Sequence, residues 1–202
     1  MRFAVVCSVW LLFSASAPSH SATVIPQVKV ILQFENPKSA SAMRAMEDDV
    51  TRTLRNAIDV RFGDPASALT GSAGRLVVFR MTGSCTMSGA GSGAPIPGET
   101  LASAFVTDGS VLPFGEIRCD RVRASVMHAF GPANPQMHEY QFGLALANVM
   151  KHELYHMLTG SVGHTQHGVT KRSLSPFELV SDVPIPESAA AAMEESDSVV
   201  QR

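Results

Sequence analysis

No run of basic residues occurs in this chain, and no aromatic residues are interleaved with Arg or Lys. That absence excludes the electrostatic footprint of a nucleic-acid binder, as does a formal net charge of −2. There is no CxxC pair: the three cysteines are Cys7, Cys85 and Cys119, so a cysteine zinc knuckle is excluded. Beyond the N-terminal stretch no apolar run could cross a bilayer. The glycines of 88–98 are followed by no Lys and no helix start at phosphate-loop spacing. No internal repeat is present. What remains is a 202-residue chain, 45% hydrophobic and 17% charged, which suits one globular domain with a single core.

Arg2 is a minimal positive n-region, 3–13 is weakly polar to apolar, and small residues fill 14–22. The pattern predicts a secretory signal peptide over 1–22, cut after Ala17 or Ala22. The mature protein is then secreted or periplasmic, with no membrane span once the signal is removed. Cys7 leaves with the signal. Cys85 and Cys119 remain as an even pair, which in an exported chain reads as one disulfide.

Further along, 28–34 alternates with β-branched residues and predicts a strand. Over 39–57, Met43, Met46, Val50, Leu54 and Ala57 recur at three- and four-residue steps, the period of a helix. Short strands are predicted over 58–62, 75–81, 101–106 and 114–119, and 88–98, rich in Gly, Ser and Pro, is a loop. The longest helical stretch is 137–158. It is apolar nearly all round from Phe142 to Met150, interrupted only by Gly143 and Asn148, so it is buried on most sides, and Gly160 ends it. A short helix over 175–181 has Pro176 in its first turn. The domain thus spans 23–181 and is α+β: a mixed sheet packed on one long helix. The tail 182–202, with two prolines, an alanine run and acidic residues, is expected to be disordered.

The long helix carries His152-Glu153-Leu154-Tyr155-His156. Two histidines four apart lie on one helix face, about one turn apart, and can reach a single ion. Glu153 points partly sideways, toward a water on that ion rather than the ion itself. This is the pattern of a zinc site in which the metal lowers the pKa of a water to about 7 and Glu153 acts as general base, then acid. Zn2+ is therefore the expected cofactor, and a protein or peptide the expected substrate. A catalytic zinc has three protein ligands and an open position. The third ligand is His164, after the turn at 160–163, with Glu178 and His167 as alternatives. Tyr155 is expected to pack beneath the helix, His128 and His138 to lie on the surface, and Asp120-Arg121 to form a local ion pair. No feature fixes an oligomeric state, and a monomer is assumed.

The stretch from His152 to His164 resembles the HExxHxxGxxH signature of metzincins, the matrixin branch above all, with two extra residues before the third histidine. Leu101-Ala102-Ser103-Ala104-Phe105 and Gly115-Glu116-Ile117-Arg118-Cys119-Asp120 are similar to the matrixin edge strand and the strand that follows it. The resemblance implies a small zincin-like fold and a metallopeptidase whose edge strand pairs with the substrate backbone. Thr170 stands where the family's Met-turn places methionine. Small secreted bacterial proteins with HELYH, a later histidine and a Gly-Val-x-Lys segment are also similar, here at Gly168-Val169-Thr170-Lys171. Glu178-Leu179-Val180-Ser181-Asp182 resembles the ExxSD segment of gluzincins, which implies a zinc-binding Glu178 instead. A zinc-binding secreted module without catalysis, on a degenerate zincin fold, is the remaining alternative. Glu153 speaks against it, because a closed structural site needs no base.

Overall fold

A computed structural model describes residues 25–64, 66, 74–88, 100–131 and 135–200. The expected signal peptide and nearly all of the 88–98 loop lie outside them. Strands β1 (Gln27–Phe34), β2 (Asp59–Gly63), β3 (Arg75–Thr82), β4 (Ala102–Thr107) and β5 (Ser110–Arg118) form one mixed sheet in the order β2-β1-β3-β5-β4. The first four in that order run parallel, and β4 is an antiparallel edge strand on β5. The β4–β5 turn is Asp108-Gly109, both at positive φ, between the paired Thr107 and Ser110. A two-residue hairpin turn demands that conformation.

Period-two alternation decides which face of the sheet is covered. Val28, Val30, Val60, Val77, Phe79, Met81 and Ile117 are all buried and join one core with the helices. Alternate positions such as Arg80 and Phe114 are exposed. Helix α1 (Ala40–Leu54) buries Met43, Met46, Val50 and Leu54, and Ser39 caps it by accepting from the Ala42 N–H. It packs along α3 (Pro135–Thr159), the long helix, which also lies against β4 and β5. The observed architecture is α+β, as the element order predicted.

Two segments differ from expectation. The strand predicted to reach Cys119 stops at Arg118, and Cys119–Phe130 is a helix, α2, over residues to which no element was assigned. Val122 and Val126, buried four residues apart, carry its period. Asp120 pairs there with Arg123 at 2.8 Å, and Arg121 donates to the Thr100 carbonyl. Cys85 and Cys119 are joined as a disulfide with Cα atoms 5.0 Å apart, clamping the end of β3 to the start of α2. Closing a loop of this length is worth about 2–4 kcal/mol.

The second difference is the tail. Most of its described residues are helical: after α4 (Pro176–Leu179) comes α5 (Glu187–Val200). The alanine run that looked like low complexity is a strong helix former. Ala189 and Met193, four apart and buried, dock α5 on the core next to α3. Among the described residues no helix is long and apolar enough to cross a membrane.

Candidate metal centre

The last two turns of α3 hold His152, Glu153 and His156, and the helix stops where Gly160 takes φ 66°. That left-handed C′ position favours glycine. Thr159 braces the stop: its hydroxyl donates to the Tyr155 carbonyl at 2.7 Å and accepts from the Ser161 N–H at 3.2 Å. Arg75, at the start of β3, donates to the carbonyls of Leu158 (2.6 Å) and Met157 (3.1 Å). A cation there satisfies orphan carbonyls and opposes the negative end of the helix dipole.

The chain then doubles back and brings His164 to the helical pair. Ring centroids lie 4.8 Å apart for His152 and His156, 5.2 Å for His152 and His164, and 4.9 Å for His156 and His164. One ring nitrogen from each falls within 4.8 Å of the others. Among the described residues this is the group of side chains with metal-ligating geometry.

Hydrogen bonds assign the tautomers. His152 Nδ1 lies 3.0 Å from the Val169 carbonyl and His156 Nδ1 2.6 Å from the Ser161 carbonyl. A carbonyl only accepts, so both Nδ1 atoms donate, and in the neutral ring both Nε2 atoms keep their lone pairs. Those Nε2 atoms face each other 3.0 Å apart. Two lone pairs at that distance repel unless a cation lies between them. Burial, the largest cause, lowers the His152 pKa to about 4, with His156 and His164 pushing the same way against the Val169 bond. His164 is shifted down by burial first, then by His156 and Arg172. Neutral imidazoles are what a metal requires.

These residues fit zinc. Tetrahedral bonds of about 2.0–2.1 Å put two ligand nitrogens roughly 3.3 Å apart, close to the 3.0 Å between the His152 and His156 Nε2 atoms, and a nitrogen of His164 lies within 4.8 Å of both. Three nitrogens leave a fourth position open, the pattern of catalytic rather than structural sites.

Glu153 is buried against the edge strand. Its Oε2 accepts the Ala104 N–H at 2.6 Å. Burial raises its pKa to about 7, and the Ala104 bond works in the opposite direction. The Ala104 amide faces away from β5, so this bond ties the sheet edge to the carboxylate.

The alternative third ligands stand apart from the histidines. Glu178 completes a capping box at the start of α4: its Oε2 accepts from the Ser175 N–H (2.8 Å) and hydroxyl (2.7 Å), and its Oε1 pairs with Lys171. Those bonds, Lys171 first, lower its pKa to about 2. His167 contributes its carbonyl, which accepts from the Thr165 hydroxyl at 2.8 Å, and its ring is outside the cluster. Tyr155 packs half-buried against the core, and His128 is exposed. His138, expected on the surface, is 5% exposed and its Nε2 has no hydrogen-bond partner. Thr170 is fully buried. It joins Thr165 through their hydroxyls (2.7 Å) and through its carbonyl (3.1 Å), so hydrogen bonds close this turn.

Sequence reasoning passed over the groups that orient the two helical histidines and Glu153, because they are backbone atoms: the carbonyls of Val169 and Ser161 and the amide of Ala104. It also passed over Lys151, fully buried beside His152 and paired with Asp49 at 2.8 Å. Its charge in an apolar helix was the available signal.

No protein-family model matches the chain, and no curated protein does. Among solved structures it is similar to an archaemetzincin from Methanopyrus kandleri, with 15% identity, 88% of this chain and 97% of that chain covered, and a TM-score of 0.49. A likeness at that level assigns no activity.

Proposed function

We propose that this chain is an exported zinc-dependent hydrolase, a metalloendopeptidase, with His152, His156 and His164 as zinc ligands and Glu153 as general base. The observation that carries the reading is the pair of Nε2 lone pairs 3.0 Å apart, with His164 alongside. A zinc ion held there supplies Lewis acidity, which makes a water nucleophilic near neutral pH.

The chain's own part is orientation and proton handling. The Val169 and Ser161 carbonyls fix the two helical imidazoles through Nδ1. Glu153 is anchored at Oε2 by Ala104, so its other oxygen takes a proton from the attacking water and returns it to the leaving nitrogen. The same bond sets the base beside the edge strand, where an extended peptide can add to the sheet. Phe105 and Val106 on that strand are exposed, at 42% and 53%. The buried disulfide is compatible with an oxidising compartment.

The test is zinc stoichiometry and peptide cleavage for wild type, Glu153→Ala, His164→Ala and Glu178→Ala. One zinc per chain, lost in His164→Ala and kept in Glu178→Ala, supports the ligand set. Zinc lost in Glu178→Ala but kept in His164→Ala reverses it. Zinc bound by wild type with no cleavage of any peptide would leave a binding module.

A further inference from the structure

Segment 183–186 is tied to α3 and to the turn that meets His152, and four contacts pin it and the residues before it. Asn148 Nδ2 donates to the carbonyls of Leu179 (2.9 Å) and Ser181 (2.8 Å), and Lys151 Nζ reaches the Val183 carbonyl at 3.4 Å. Asn148 and Lys151 are both completely buried and lie four residues and one residue before His152 on α3. The fourth contact is the informative one. The Pro184 carbonyl accepts the Val169 N–H at 3.0 Å, and the carbonyl of the same Val169 accepts from His152 Nδ1 at 3.0 Å. Val169 is 0% exposed. Next to it Gly168 has φ 74°, and a Cβ there would lie 2.7 Å from the Pro186 ring carbons and 2.8 Å from the Pro184 oxygen. The strap therefore presses on a residue that has no side chain to yield, and the next residue holds a ligand.

We propose that segment 183–186 is a positioning strap for the metal centre, setting the orientation of His152 through Val169. The inference rests on the zinc reading above. The strap touches neither metal nor substrate; it fixes where the Val169 carbonyl lies, and that carbonyl fixes the plane and tautomer of the His152 ring. It also gives a use to the polar residues of α3 that chemistry does not claim: Asn148, one turn before His152, holds the residues that lead into the strap, and Lys151 reaches the strap itself at Val183.

The experiment uses the full chain and Zn2+ itself, with affinity measured by competition with a chromophoric chelator. In parallel, nitrogen NMR of isotope-labelled histidine in the metal-free protein reads the His152 Nδ1–H. Gly168→Ala pushes the strap away and is expected to weaken zinc about 10- to 100-fold, the usual cost of disturbing a ligand's hydrogen-bond partner, and to shift the Nδ1–H signal. Gly168→Ala/Pro186→Ala removes the obstructing ring but leaves the positive φ and the Pro184 oxygen 2.8 Å from the new Cβ, and so recovers part of the affinity. Met193→Ala, which loosens α5 without touching Val169, lowers the melting temperature but leaves zinc affinity and the Nδ1–H signal as in wild type. Should Gly168→Ala not fold, Pro184→Gly frees the backbone at the accepting carbonyl and weakens zinc in the same direction. Unchanged affinity in whichever of these two variants folds overturns the proposal. So does a loss in Met193→Ala that matches that variant's at equal melting temperature. A His152→Ala protein that binds zinc like wild type would instead show that the underlying zinc reading has failed.

Discussion

Two glutamates of this chain, Glu153 on α3 and Glu178 on α4, sit in opposite surroundings. Glu153 is 7% exposed, accepts one backbone N–H and has no cation beside it, and its pKa rises to about 7. Glu178 lies at the surface, accepts from Ser175 twice and pairs with Lys171, and its pKa falls to about 2. Both belong to segments that resemble peptidase motifs. The difference teaches that a carboxylate's partners, more than the motif around it, say what it is free to do. Glu178 has one oxygen on a helix cap and the other on Lys171, and Glu153 has kept one.

The largest effect expected is at the histidines beside Glu153. His152→Ala removes one of two facing nitrogens and should abolish stoichiometric zinc binding, measured by metal analysis after gel filtration, with cleavage at background. A third carboxylate sharpens the comparison. Asp49 is as buried as Glu153, at 3% exposed, but it is paired with Lys151 and Arg52. Asp49→Ala strands a buried ammonium and should cost about 3–5 kcal/mol in denaturant unfolding. Asp49→Leu/Lys151→Met should recover most of that.

The smallest effect belongs to Glu178. Glu178→Ala should cost about 1 kcal/mol or less, because the cap and ion pair are solvent-exposed, and should leave zinc content unchanged. Its sign with pH is fixed by the depressed pKa. The stabilisation is present above the unfolded value of about 4.3 and is lost as pH falls toward about 2. A plot of melting temperature against pH should therefore be flatter on the acid side in Glu178→Ala than in wild type. An identical acid limb would contradict the contrast between the two glutamates.

Much of the fold was legible because its signals are local and periodic. Alternation gave β1 and β3, four-residue steps gave α1, and Gly160 gave the end of α3. Helix α2 was missed because its apolar stripe, Cys119, Val122, Val126 and Phe130, is short and opens directly on the end of a strand. Helix α5 was missed because an alanine run reads as low complexity until Ala189 and Met193 have something to pack against. The site was half legible. Four-residue spacing placed His152 and His156 on one face, and the turn at Gly160 pointed to His164. Choosing among His164, Glu178 and His167 was a matter of tertiary geometry, and no local pattern announces that Lys171 will occupy Glu178. Nor does any letter encode that the Val169 carbonyl meets His152.

The central claim is that Glu153 moves the proton beside a zinc it does not bind. Glu153→Gln tests it most directly, since the amide still accepts from the Ala104 N–H but cannot take a proton. Zinc content and peptide cleavage should be measured on the same sample. The expected result is one zinc per chain with cleavage reduced by about 10²- to 10⁴-fold; cleavage at the wild-type rate would contradict the account.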